Sequence, residues 1–285
     1  MSGELFIVAT PIGNYDDMSE RAVEILQRVD LIAVEDSRHS GRLLKHFGVS
    51  TRTQAMHDHN EKSLAPKLIE QLLEGLNIAI ISDAGTPLIS DPGYKLVQLA
   101  QQAKIRVIPI PGPSALVTAL SACGLATDRF CFEGFLAPKK GARRTQLESY
   151  LNESRTMIFY EAPHRILACL TDMVEVFGSS HTVVIARELT KTFETIRHDS
   201  LGNLVSWVAA DTNQQKGEIV LIVDGFKNKS NAAGDEPQLN GESERILKLL
   251  LAELSVKQAV KLAVDICGEK KKVLYQRALQ LKEMH

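Results

Sequence analysis

Two strings in the middle of the chain gather groups able to move protons or hold anions. FYEAPHR (Phe159–Arg165) ends an apolar run with Glu161, His164 and Arg165, and ARELTKTFE (Ala186–Glu194) ends another with Arg187, Glu188, Thr190 and Lys191. Glu161 and Glu188 are candidate bases or orienting acids, and Arg187 and Lys191 candidate positioners of a phosphate or hydroxyl. Arg–Glu pairs at strand ends serve equally as buried braces, so the residue types alone leave both readings open. A third set, Lys139, Lys140, Arg143 and Arg144, follows Gly134-Phe135. Four cations at a helix start oppose the helix dipole, which points to contacts with RNA phosphates.

Other constellations carry less. His57-Asp58-His59 would place two imidazoles on one face of an extended segment, but no third ligand follows at a fixed spacing. Asp83 and Asp91 flank Gly and Pro, where Asp caps turns as readily as it binds a cation. No metal is expected. The chain has no GxGxxG after a strand, no GxxxxGK[ST] and no G-x-S-x-G, which argues against dehydrogenase, nucleotide triphosphatase and serine hydrolase chemistry.

The elements that must position these groups are legible as repeats of strand, loop and helix. LFIVATPIGN (Leu5–Asn14), IAIISDAGTPLISDPG (Ile78–Gly93) and RVIPIPGPSA (Arg106–Ala115) each run a short apolar strand into a Gly/Pro/Ser/Asp loop before helical periodicity. That order predicts a parallel sheet whose strand C-termini collect along one ligand-binding edge. Not one Lys or Arg lies in the three loops, whereas Asp16, Asp17, Asp83 and Asp91 do. A phosphate site would offer a cation or a glycine-spaced helix start, so this rim suits a cationic or neutral ligand.

Further strands at Leu31–Val34 and helices at Arg42–Phe47, Leu64–Leu73, Lys95–Ala103 and Ala115–Ala122 complete the first half, with Asp17 and Glu20 as the capping pair of its first helix. After a boundary near 124–128, short strands at Phe130–Phe135, Thr156–Tyr160, Thr182–Arg187, Phe193–Arg197 and Glu218–Asp224 predict a mixed, largely antiparallel sheet with helices at Gln146–Leu151, Ile166–Phe177 and Leu201–Ala209. The expected organisation is an α/β domain over 1–125, a second over 126–226, a polar linker over 227–244 and a helical tail over 245–285. The tail reads as helices Ile246–Leu254, Val256–Ile266 and Val273–Leu281, with Ser255/Gln258 as a capping box and Gly268 as a stop.

The net charge is −2, yet residues 245–285 hold nine Lys/Arg against four Asp/Glu, a balance of +5 against −7 for the rest. A basic tail on an acidic body fits a polyanionic partner or a solvated helical face. The four cysteines are far apart and form no CxxC, as expected of reduced thiols in a cytosolic protein. Met1–Glu4 lacks a basic region and no apolar run approaches ~20 residues, so neither a signal peptide nor a membrane helix is expected, and the chain reads as cytoplasmic.

Eight strings together, ATPIGNYDDMSERA, AVEDSRHSGRLL, SDAGTPLISDPG, PIPGPSALVTALSACGL, FEGFLAPKKGARR, FYEAPHR, ARELTKTFE and KGEIVL, resemble the ribosomal RNA small subunit methyltransferase I family of tetrapyrrole-methylase-like enzymes. The resemblance runs over residues 1–225 and reaches the tail, with Ala137 where the family more often shows Pro. It implies a two-domain α/β fold, S-adenosylmethionine (SAM) folded in the cleft between domains, a homodimer, and methylation of a cytidine ribose 2′-hydroxyl in the decoding region of 16S ribosomal RNA. Carried over by position, the cofactor contacts are Pro11, Ile12 and Gly13; Asp83, Ala84, Gly85 and Leu88; Ser114 and Ala115; and Ala162, Gly217 and Glu218. A small-molecule, tetrapyrrole-type methyltransferase and a non-enzymatic ribosome-associated RNA-binding protein are the rival readings.

Overall fold

A computed structural model describes residues 2–226, 239 and 241–283. The first half contains β1 (Glu4–Val8), α1 (Glu20–Arg28), β2 (Leu31–Val34), α2 (Ser37–His46), β3 (Thr53–Ala55), α3 (Glu61–Leu73), β4 (Ile78–Ile81), α4 (Tyr94–Gln102), β5 (Arg106–Ile110) and α5 (Ala115–Ala122). The strands form a parallel sheet in the order β3-β2-β4-β1-β5. Alternate residues face opposite layers, as a two-sided parallel sheet requires. In β4, Ala79 and Ile81 join Ala22, Ile25, Leu26 and Leu44 from α1 and α2, whereas Ile78 and Ile80 join Leu64, Leu68 and Leu72 of α3 and Leu96 and Ala100 of α4.

Local signals set most helix ends, with two corrections. The side chain of Ser19, not Asp17, accepts from the Ala22 amide and caps α1, because Tyr15–Asp17 is itself a single 3-10 turn. Asp36 caps α2 through the Arg38 and His39 amides, so that helix starts five residues before the expected Arg42.

The second half contains β6 (Phe130–Phe135), α6 (Lys140–Ser149), β7 (Thr156–Glu161), α7 (Ile166–Phe177), β8 (Thr182–Arg187), β9 (Thr195–Ser200), α8 (Leu201–Ala210) and β10 (Ile219–Val223). Its sheet runs β6-β7-β10-β8-β9, with only the β6/β7 pair parallel. One face of this sheet is a seam. Ile158, Val184, Ala186, Val220 and Ile222 pack with Ala119, Leu120 and Cys123 of α5 and with Ile12 from the loop after β1. Residues 1–225 therefore form one compact unit built on two sheets.

Residues 226–285 form a second compact unit. In it α9 (Gly241–Glu253), α10 (Val256–Cys267) and α11 (Lys271–Glu283) enclose Leu239, Leu247, Val260, Ala263, Leu274 and Ala278. Ser255 and Gln258 make the reciprocal capping box of α10, and Gly268 ends it in the left-handed conformation. Most of the expected linker lies outside the described residues, and α9 begins within its last positions. Among the described residues no helix is long and apolar enough to cross a membrane.

Candidate functional site

The loops after β1, β4 and β5 meet the seam face of the second sheet. In the order β3-β2-β4-β1-β5 the chain leaves β1 toward one edge and crosses to β5 on the other side, so the C-terminal ends of β1 and β4 flank a crevice. Thr10 and Gly85 pair backbone to backbone there, and the buried Thr10 hydroxyl lies 3.3 Å from the Ser82 carbonyl, to which it donates. The cavity that results has a volume of about 420 Å3, within the usual range for a small-molecule site.

Its walls come from both halves. Ile12, Glu35, Asp83, Ala84, Gly85, Thr86, Ile89, Ser90, Asp91, Ser114 and Ala115 face Phe135, Tyr160, Glu161, Ala162, Pro163, Ala186, Leu189 and the 217–220 stretch. Phe135, Tyr160, Val220 and Ala186 are one cross-strand row of the second sheet. Nine of the twelve expected cofactor positions line this cavity: Ile12, Asp83, Ala84, Gly85, Ser114, Ala115, Ala162, Gly217 and Glu218. Pro11, Gly13 and Leu88 do not; Leu88 instead holds the loop in a left-handed turn (φ 74°). Glu35 is a wall residue that the sequence reading missed, because its string, VEDSRH, reads as the approach to a helix.

Among the described residues no Lys or Arg lines the cavity. Burial pushes the Asp91 carboxyl up to about 6, against the hydrogen bond from Ser82 and with reinforcement from Glu35 and Asp83. Burial also raises Glu35. Crowded, cation-free carboxylates of this kind favour a positively charged ligand.

The four candidate catalytic side chains are differently placed. The Glu161 carboxylate has no solvent exposure and pairs with Arg165 at 2.6 Å. It also caps the Ala162 amide, while Arg165 reaches the Leu136 carbonyl. Arg187 is buried off the cavity, donating to the carbonyls of Phe193 and Lys216 and the hydroxyl of Thr195. Lys191 lies between Glu188 and Glu218, 2.8 Å from each. Burial acts against both charges, but the Lys191 hydrogen bond and the Glu218 amide bring Glu188 below its ordinary value, and the two carboxylates raise Lys191. Thus Glu161, Arg187 and Glu188 are tied into braces, and only Glu161 is also a wall residue.

The loop carrying this network is held under backbone strain, with Glu188 at φ 52° and Thr190 at φ 66°. Two glycines make room for it. A Cβ on Gly13 would lie 2.4 Å from Lys191 Cγ, and one on Gly217 (φ +82°) would lie 2.3 Å from Glu188 Cδ.

The proposed RNA cluster divides. Lys139 and Lys140 are exposed at the start of α6. Arg143 is only 4% exposed and grips Asp172 of α7 at 2.5 Å, and Arg144 pairs with Asp172 and Glu175. Arg143 is therefore a structural cation, and Arg144 is largely committed to the α6–α7 contact. His57 and His59 pack edge to face, 5.9 Å between ring centroids.

The tetrapyrrole (corrin/porphyrin) methylase family matches residues 4–205, and the RsmI C-terminal HTH domain matches residues 237–282. The chain is 54% identical over 278 residues to ribosomal RNA small subunit methyltransferase I of Escherichia coli O157:H7, covering 98% of this chain and 95% of that one. It is 54% identical to the protein of that name from Pseudomonas aeruginosa, covering 98% of both. The chain belongs to the ribosomal RNA small subunit methyltransferase I family. It is a methyltransferase. The fold is shared with uroporphyrin-III-C-methyltransferase of Thermus thermophilus, at a TM-score of 0.56 and 17% identity over 78% of this chain and 94% of that one. Diphthine synthase is similar at a TM-score of 0.58 and 14% identity, over 78% and 90%.

Two outcomes are expected from this geometry. Gly217→Ala should lower stability by about 1–3 kcal/mol in urea titrations, through left-handed strain and displacement of Glu188; an unchanged midpoint would contradict the close packing. Asp91→Asn should raise stability at pH 7 by ~1 kcal/mol, or roughly 2–4 °C in Tm. The sign follows from the raised pKa: ionised Asp91 penalises the fold above about 6, and the gain should vanish below the unfolded value of ~3.9. Equal Tm for both proteins at pH 7 would contradict it.

Proposed function

We propose that the protein transfers a methyl group from SAM to the ribose 2′-hydroxyl of a cytidine in the decoding region of 16S ribosomal RNA. The observation that carries the cofactor reading is the cavity between the two sheets, walled by backbone-rich loops and carboxylates and, among the described residues, by no Lys or Arg. SAM is a sulfonium cation bearing adenosine and no phosphate, so this donor set fits it. Ala84, Gly85, Ala115, Ala162 and Gly217 let main-chain amides and carbonyls approach the ligand, while Asp83, Asp91 and Glu35 complement its charge.

When bound, SAM would supply a methyl group to the ribose 2′-oxygen by in-line displacement, the O–CH3 bond forming as the S–CH3 bond breaks, with S-adenosylhomocysteine leaving and the hydroxyl proton passing to solvent. A ribose hydroxyl is a weak nucleophile at neutral pH, so holding it in line is the protein's main contribution. Glu161 and Arg187 serve that end by fixing β7 and the 188–194 loop. Glu188 and Lys191 do so by clamping that loop against Gly13 and Glu218.

RNA is gathered by Lys139 and Lys140 and by Lys270, Lys271 and Lys272, all exposed. The match of the tail to a helix-turn-helix domain supports this assignment. The active form is a homodimer, for which Val117 and Phe130, 56% and 42% exposed, offer apolar surface.

Small ribosomal subunits incubated with the protein and methyl-labelled SAM should acquire label in 16S RNA. Because a 2′-O-methyl group blocks attack on the neighbouring phosphate, the label should survive alkali in a dinucleotide. Label released as a mononucleotide, or none at all, would overturn the reading. Replacing Lys139 and Lys140 by Gln should lower the salt slope of RNA binding by about two, one per phosphate contact. A slope equal to the parent's would remove this surface from the interface.

A further inference from the structure

The β6/β7 pairing slips between Phe132 and Gly134, where Gly134 takes a left-handed φ of 65°. Phe132 is level with Ile158 and Phe135 with Tyr160. Ile158 and Tyr160 are two residues apart and share a face, so the bulge brings Phe132 and Phe135, three apart, to that same face. Without the slip, alternation would send Phe135 to the opposite side. The two rings flank Tyr160 in a T-shaped chain, at 4.9 Å and 5.7 Å between centroids with interplanar angles of 65° and 67°. Phe132 and Tyr160 pack against the seam, whereas Phe135 ends the row as a cavity-wall ring that is 54% exposed. The bulge also adjoins the loop after β4, since a Cβ on Gly134 would lie 3.5 Å from Ser90 Oγ.

We propose that Phe135 is the stacking platform for the base of the nucleotide being methylated. This rests on the functional reading above. With SAM held in a cavity of about 420 Å3, the acceptor ribose must reach the donor at the cavity mouth, where a folded RNA helix cannot enter, so the target must be drawn out of its stack. Its base is attached to C1′, next to the carbon bearing the 2′-oxygen, and so comes to the cavity mouth whenever that oxygen enters. An extruded base loses its stacking neighbours and needs an aromatic face in their place. Among the aromatic wall residues Phe135 has that face to offer, because Tyr160 is packed between Phe132 and Phe135.

Phe135→Ala, Phe135→Leu, Phe135→Tyr and Phe135→Trp would each be assayed for methyl transfer to small ribosomal subunits and for SAM binding by calorimetry. Phe135→Ala and Phe135→Leu should lose roughly tenfold or more in kcat/KM for RNA, the range expected for one stacked base. Phe135→Tyr and Phe135→Trp should stay within about threefold of the parent, and the SAM Kd should change by less than about twofold in all four. Full activity of Phe135→Ala, or rescue by Leu as complete as by Tyr, would overturn the proposal. A SAM affinity that falls in step with activity would overturn it too, by placing the ring against the cofactor. A parent protein that methylates no RNA would instead end the functional reading, and this inference with it.

Discussion

The seam between α5 and the second sheet is the constraint on which the site depends. Ala119, Leu120 and Cys123 of α5 pack with Ile158, Val184, Ala186, Val220 and Ile222, and Ile12 inserts from the loop after β1. Burial of this apolar surface fixes one sheet's face against the other's C-terminal loops. The same strands that supply the seam also supply the cavity wall, one row further along: Ile158 gives way to Tyr160, Ile222 to Val220 and Val184 to Ala186. Cavity and core are therefore parts of a single packed surface, and a change in one is felt in the other.

Charge is segregated to match. Among the described residues the cavity holds carboxylates without cations, while three cations close to it in sequence are bound to partners: Arg165 to Glu161, Arg187 to the carbonyls of Phe193 and Lys216, and Lys191 to Glu188 and Glu218. Removing one member of the buried Arg143–Asp172 or Arg165–Glu161 pair leaves an uncompensated charge in the interior. The exposed lysines Lys139, Lys140 and Lys270–Lys272 are not among the wall residues. An electronegative cavity and separate basic surface patches are what a cationic donor and an anionic acceptor would require.

Much of this was legible in the residues. Strands β1, β4 and β5 are apolar runs that end in Gly/Pro-rich loops, β2 is a fourth apolar run, and the capping box and Gly268 stop of α10 depend only on neighbours in sequence. β3 escaped notice because Thr53–Ala55 is a three-residue edge strand with no apolar run. The fate of Arg143 depends on Asp172, 29 residues away, so no local pattern separates it from Lys139 and Lys140. Phe135 was hidden for a similar reason, since its orientation follows from a register slip against β7 and not from the FCFEGF string. Glu161 and Glu188 were recognised as paired acids, but which of brace or base they form is decided by burial and partner geometry.

A crystal structure of the protein soaked with SAM gives the most direct test. Density for a folded SAM molecule is expected in the crevice between the two sheets, against Gly85, Ala115 and Ala162, with no Lys or Arg side chain touching it. Density elsewhere on the chain, or a cavity left empty at saturating SAM, would contradict the cofactor reading.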